Sequence, residues 1–203
     1  MKKLIGSLFV IALASSALAA PQVFDFKDPK GVNNAKFATD AVLESINGTA
    51  TDISGTVTFD AANPPATKGK IIVGTASLNV PNSMMKQHLQ SPTWLDAQKY
   101  PEISFDVKEL KNVKTTGDET SADASGTFSL HGVSKEMTVP VKLTYLKGKL
   151  SQRVPGKMGD LLVIRAKFEL KRSDFKINAG QYTDKVSDEI ELSLAIAGMS
   201  ATP

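Results

Sequence analysis

The sequence predicts a mainly β protein: an antiparallel sheet of eight strands closed into a barrel, with one helical excursion capping it. Three observations predict this. Apolar and polar residues alternate in several runs, as in Ile103, Phe105, Val107 and again in Met137, Val139, Val141, Leu143, Tyr145, and a period of two marks a strand with one buried face. Turn residues separate these runs at short intervals. Only residues 81–97 read as helical. A closed barrel fits better than a sandwich because the strands are long and carry glycine and bulge candidates that would curve the sheet.

The chain is organised around residues 91–107, SPTWLDAQKYPEISFDV. Trp94 to Lys99 has one or two apolar positions per turn and no β-branched residue, so it is expected to be a short helical segment. Pro101 pushes Tyr100 out of the α region, and the chain leaves as the alternating strand that carries Ile103, Phe105 and Val107. A helix is thus delivered into a half-buried strand at a fixed point.

Before that stretch, residues 35–60 read as two or three strands: 36–38, 42–46 and 55–60. Asn47-Gly48 is expected either to turn a hairpin or to bulge a continuing strand. Residues 61–70, with Asn63-Pro64-Pro65, form an exposed connection, and 69–80 is a strand apolar on both faces, so that something must cover its outer side. The cover is the helical stretch 81–97, where Pro81, Asn82 and Ser83 offer start and cap chemistry and Met84, Met85 and Leu89 fall at roughly helical spacing. The two methionines are core filler or a deformable lid. After it, residues 111–124 form a polar hairpin around Gly117-Asp118-Glu119, and His131-Gly132 turns the cleanest hairpin in the chain. Residues 150–160 form a loop. Leu162, Ile164, Ala166, Phe168 and Leu170 alternate, as do Ile190, Leu192, Leu194 and Ile196.

Composition sets the address. The 203 residues are 41% hydrophobic and 22% charged, which suits one domain with a core of its own. Lys2-Lys3, an apolar run to Leu18 and Ala17-Leu18-Ala19 have the layout of a cleavable secretory signal, so residues 1–19 are expected to be a signal peptide and 20–203 the mature domain. Without those two lysines the balance is 22 basic to 21 acidic residues, a formal +1, and no basic run is interleaved with aromatics. Nucleic-acid binding is therefore not expected. The chain has no cysteine, hence no lipid-anchored cleavage site, and the expected location is the periplasm without a stable membrane anchor, as a monomer or homodimer.

Three segments together resemble the YceI-like family of lipid- and polyisoprenoid-binding proteins. The first is residues 88–105, with His88-Leu89-Gln90-Ser91, Trp94, Asp96 and Tyr100-Pro101-Glu102-Ile103-Ser104-Phe105. The second is residues 126–135, GTFSLHGVSK, and the third is Phe168-Glu169-Leu170-Lys171-Arg172-Ser173-Asp174-Phe175 followed by residues 186–192. The resemblance implies a lipocalin-like barrel with a long apolar chain in its lumen, and a carrier role without catalysis. An isoprenoid quinone, a polyprenyl lipid or a fatty-acid-like molecule is the implied ligand, with no covalent cofactor. The chain departs from the family in lacking its early His-Ser pair and in having Lys176 where a glycine commonly follows the Arg-Ser-Asp-Phe element. Tail burial makes such a ligand credible: at roughly 0.8 kcal/mol per carbon an isoprene unit contributes ~4 kcal/mol, and several units exceed the ~4 to 15 kcal/mol cost of association.

The lumen and lid residues expected to meet the ligand are Phe59, Met84, Met85, His88, Leu89, Trp94, Ile103, Phe105, Phe128, Leu130, Val141, Leu143, Ile164, Phe168, Arg172, Leu192 and Leu194. Each alternating apolar position is also a core residue, and its lining role depends on whether the barrel is hollow. Arg172-Ser173-Asp174 reads first as a local ion pair and turn; if the bound head is anionic, Arg172 is the candidate to meet it, since its planar fork suits phosphate. His131 is read as a turn residue bonded to the backbone, and His88 as a head-group contact or a solvent-facing helix residue. Neither histidine belongs to a zinc-type spacing, so no metal is expected. No Gly-x-Ser-x-Gly, His-Glu-x-x-His or phosphate loop is present, so no catalytic residue is assigned. Two other functions stay open: a solid-cored envelope stress or interaction protein acting through its surface, and an enzyme on isoprenoid or acyl substrates.

Overall fold

Ten strand segments build eight barrel staves. In the computed structural model, which describes residues 20–202, the strands are β1 Gln22–Asp25, β2 Asn34–Asp40, β3 Ser45–Ala50, β4 Ile53–Phe59, β5 Lys68–Gly74, β6 Glu102–Thr116, β7 Glu119–Leu130, β8 Val133–Leu146, β9 Gly159–Lys171 and β10 Glu189–Ala201. The signal peptide expected over residues 1–19 lies outside the described residues. Two helices join them, α1 Ser83–Gln90 and the short α2 Leu150–Arg153. From β4 to β10 each strand pairs antiparallel with the next in chain order, except that β4 begins the series beside β1. Both β1, at Asp25↔Met199, and β2, at Ala38↔Glu191 through Asn34↔Ala195, pair with β10, so the sheet closes. Because β1 and β2 run the same way along β10, they are one broken stave, and β3 with β4 are the next. The expected eight-stranded antiparallel barrel is what forms.

The break in the first stave is repaired by side chains. Asn33, 2% exposed, takes the place of a ladder residue: its Nδ2 donates to the Phe26 carbonyl (3.0 Å) and the Ala197 carbonyl (3.2 Å), and its Oδ1 accepts from Ala197 N (2.9 Å). Asp28 holds the intervening loop by accepting from Val32 N (2.7 Å) and Asn33 N (2.8 Å) and pairing with Arg153 of α2 (2.9 Å). Buried backbone groups without a strand partner need such substitutes.

Several local expectations are corrected. Of residues 42–46 only Ser45 and Ile46 join a strand, β3; before them Ala41 N donates to Glu44 O (2.9 Å) and Val42 and Leu43 are 91% and 65% exposed at a hairpin tip. Asn47-Gly48 neither turns nor bulges; it sits inside β3, opposite Ala38 and Phe37. Gly48 is there for close approach, because a Cβ would lie 2.1 Å from Phe37 Cζ. The strand over 69–80 ends at Gly74, and a 3-10 turn at Thr75–Ser77 tucks Leu78 and Val80 into the interior. Residues 94–99 form consecutive turns instead of a helix, because Asp96 adopts φ 45°. The helical expectation over 81–97 contracts to α1, capped by the Asn82 side chain accepting from Met85 N (3.0 Å). Part of the 150–160 loop is α2.

Among the described residues no helix is long and apolar enough to cross a membrane, and no group of three metal-ligating side chains occurs.

Candidate ligand-binding lumen

Register fixes which side chains face inward, and these divide into two packed layers and a belt between them. The lower layer, at the end where β1 begins, contains Phe24, Phe26, Val57, Phe59, Leu110, Leu162 and Ile196, all buried. Tyr145 joins it, its ring 6.2 Å from Phe24 and 5.9 Å from Phe59. Its hydroxyl donates to Asp160 (2.6 Å), and burial, with that carboxylate beside it, pushes the phenol up to about 12. The upper layer contains Leu78, Leu95, Phe128, Leu130, Leu170, Phe175 and Ile177, roofed by α1 and the turns after it.

Between them Ala35, Val73 and Phe105 touch both layers. Phe105, Val141, Ala166, Phe168, Leu192 and Leu194 all face inward and all stay only half-buried. The accessibility these residues keep shows that the belt is packed less tightly than the two layers flanking it. On β7 the inward Ala122 and Ala124 are buried in the lower layer.

The sequence-predicted positions sort by height. Ile103, Phe105, Val141, Phe168, Leu192 and Leu194 line the belt. Phe128 and Leu130 belong to the upper layer, on which the half-buried Leu89 and Trp94 pack; Met85 is half-buried on α1. Phe59, Leu143 and Ile164 are fully buried in the lower layer and are core residues. Met84 is corrected, being 66% exposed, and His88 takes its solvent-facing alternative, because α1 turns both outward. His131 lies in the turn with φ 52°, its Nδ1 3.2 Å from the Phe175 carbonyl and its ring against Tyr100 at 4.8 Å, which is the backbone-bonded reading.

Arg172 forms the expected local turn, the 3-10 turn Arg172–Phe175, and its alternative role at a phosphate is corrected. It is 2% exposed, and every donor of its fork is spent on backbone carbonyls: Nε to Ser187 (3.1 Å), Nη1 to Ile177 (2.8 Å) and Asn178, Nη2 to Gln181 and Val186 (3.1 Å). Its guanidinium also lies 5.8 Å from the Trp94 ring, which in turn stacks on Tyr182 at 5.9 Å. A cation so committed organises the 177–188 loop over the barrel end and is unavailable to a phosphate. The pairing expected within Arg172-Ser173-Asp174 forms with outside partners instead: Ser173 Oγ donates to Asp188 (2.7 Å) and Asp174 pairs with Lys135 (2.8 Å). Lys176, in the family's glycine position, sits at φ 59° where glycine would be unstrained.

Asp188 supplies a pH handle. The Ser173 hydroxyl, then the Ser173 N–H and the charges of Arg172 and Lys171, hold its carboxyl below the ordinary range against the opposing effect of burial. A group whose folded pKa is lowered contributes stability above the unfolded value, about 3.9, and loses it as pH falls through the folded value. Acidification below about pH 4 is therefore expected to loosen residues 172–188, which fluorescence of Trp94, the single tryptophan, reads directly. A Trp94 signal flat from pH 6 to well below 4 would contradict it.

One buried polar position escaped the sequence reading. Thr39 follows Ala35 and Phe37 on the inward face of β2, is 5% exposed, and its hydroxyl has no hydrogen-bond partner. The continuing alternation was the signal that could have found it.

Residues 28–197 match the YceI-like domain. Protein YceI of Escherichia coli O157:H7 is 30% identical over 200 residues, covering 98% of this chain and 97% of that protein. The solved structure of the Campylobacter jejuni YceI protein superposes with TM-score 0.61 at 28% identity, over 75% of this chain and 84% of the other. A polyisoprenoid binding domain from Saccharophagus degradans superposes with TM-score 0.64, covering 89% and 99%, at 11% identity, a likeness of fold alone. With the closed barrel, the Tyr100-Pro101 entry to β6 and the His131-Gly132 turn all in place, this chain belongs to the YceI-like family.

Proposed function

We propose that this protein is a noncovalent carrier of a long-chain isoprenoid in the periplasm, with the tail in the belt between the two core layers. The observation that carries the reading is the half-buried inward ring of Phe105, Val141, Phe168, Leu192 and Leu194. Family membership supports it, as does a neighbour of the same fold described as polyisoprenoid-binding. Arg172, the one fully buried cation among the described residues, is committed to backbone carbonyls, which favours an uncharged head such as a quinone or alcohol over a polyprenyl phosphate. Catalysis is not part of the reading, since among the described residues no nucleophile with a base partner faces the belt. Solvent extraction and mass spectrometry of protein purified from its native envelope should yield an apolar ligand with an uncharged head. Repeated absence of one, with no uptake of added isoprenoid quinone, would overturn the reading.

Thr39 is the polar group placed to meet that head. Thr39→Val removes an unpartnered buried hydroxyl while keeping the shape, so the empty protein is expected to unfold at the same or a slightly higher temperature. Affinity for an isoprenoid alcohol should fall by ~0.5–1.5 kcal/mol, while affinity for a hydrocarbon without a head stays unchanged. Titrations with retinol and with squalene test the pair, and equal losses for both would remove Thr39 from the site.

A further inference from the structure

The barrel wall is unzipped on one side. Strand β8 pairs with β9 only from Val141↔Ala166 to Leu146↔Leu161. Above that point β8 remains paired with β7 up to Val133, and β9 with β10 up to Lys171, yet residues 133–140 and 167–171 do not pair with each other. The ladder stops at Pro140, which has no N–H to give and would face Lys167 in the continuing register. A cleft of about 390 Å³ occupies the gap, reaching Met137, Leu170 and Phe175 at its floor. The first paired residues below it, Val141 and Ala166, are members of the half-buried belt, so the gap lies directly above the belt.

Resting on the carrier reading above, we propose that this seam is the passage through which an apolar tail enters and leaves the lumen. Its closure is one ring and one ion pair. Phe175, carried on a 3-10 turn instead of a strand, is buried with its ring 5.6 Å from Phe128 and plugs the gap. Lys135 and Asp174 bridge it at 2.8 Å with side chains 38% and 50% exposed, and Lys135 Nζ lies 5.9 Å from the Phe175 ring. Solvent screens such a pair, so it opens readily. The roof offers no comparable route, because Leu78, Leu95 and Ile177 are buried there and Arg172 ties down the loop above them. The rim carries four carboxylates, Glu136, Glu169, Asp174 and Glu189, against Lys135 and Lys171, which repels an anionic lipid and passes an uncharged one.

The absence of cysteine allows a direct test. Thr138→Cys with Glu169→Cys puts one exposed thiol on each lip, at positions that would face each other if the ladder continued, for closure with a short bis-maleimide. Leu43→Cys with Asp184→Cys does the same at the roof, where the two backbones already meet at 2.9 Å. The probe is retinol, followed by energy transfer from Trp94, and each variant before bridging is its own control for folding. Bridging the seam should slow uptake and release at least ten-fold with the final amplitude unchanged, while bridging the roof changes either rate less than two-fold. Asp174→Asn should speed uptake. Rates insensitive to the seam bridge, or slowed by the roof bridge instead, would overturn the passage while leaving the carrier intact. Failure of unbridged protein to bind retinol or added isoprenoid quinone would remove the carrier reading and the passage with it.

Discussion

Replacing Arg172 by methionine is expected to destabilise the protein on the order of 3–5 kcal/mol. Methionine can fill much of the stem volume, but it leaves the carbonyls of Ile177, Asn178, Gln181, Val186 and Ser187 without their donors, several of them away from water. Each unpaired buried acceptor costs about 1–3 kcal/mol, moderated where the loosened loop lets water in. For a domain of this size the loss corresponds to a fall in Tm of about 10 °C. Arg172→Lys should recover little, because an ammonium has three donors on a flexible stem and cannot span five carbonyls set around a planar fork. Hydrogen exchange should quicken first across residues 176–188. A cost under ~1 kcal/mol, with a selective loss of binding to anionic lipids, would return Arg172 to the ligand site.

That role was invisible in the sequence for a physical reason. The partners of Arg172 are main-chain oxygens, which every residue possesses, so nothing in the spelling of residues 177–188 marks them as acceptors. The barrel was legible because burial on one face imprints a period of two, and β7 to β10 carry that imprint almost without interruption. Legibility failed where side chains replaced backbone, as at Asn33, or where an apolar residue is exposed, as at Val42 and Leu43 on the β2–β3 tip. Asp96 shows a third kind of failure, in which one residue in a left-handed conformation converts a plausible helix into turns. The belt was readable only as a set of inward positions. Whether those positions pack or line a space depends on their height in the barrel, and height is a product of register. Pro140 was in plain view, but its meaning as the end of a ladder needed the identity of the strand beside it.

The contrast between Phe26→Ala and Phe105→Ala separates a filled barrel from a hollow one. Phe26 is 0% exposed in the lower layer, against Gly198, and its truncation should cost ~3–5 kcal/mol. Phe105 faces inward too, but it is half-buried, with Phe128 at 6.4 Å as its one aromatic neighbour on the belt side. Part of its surface is already accessible, so less contact is lost and less new cavity is made. The ligand-free Phe105→Ala variant is therefore expected to lose ~1–2 kcal/mol, under half the cost at Phe26. Ligand should then stabilise the two unequally. Anything bound only by the folded state raises stability in proportion to the logarithm of its free concentration over Kd. Phe26→Ala should keep the full increment on adding an isoprenoid quinone, since the lower layer lies outside the belt. Phe105→Ala should show a smaller increment with a slim tail, because the ring that walls it is gone. Urea titrations of both variants with and without quinone make the four measurements needed. Equal costs at the two positions in the absence of ligand would mean that the belt is packed like the layer beneath it, with no interior left for a tail to occupy.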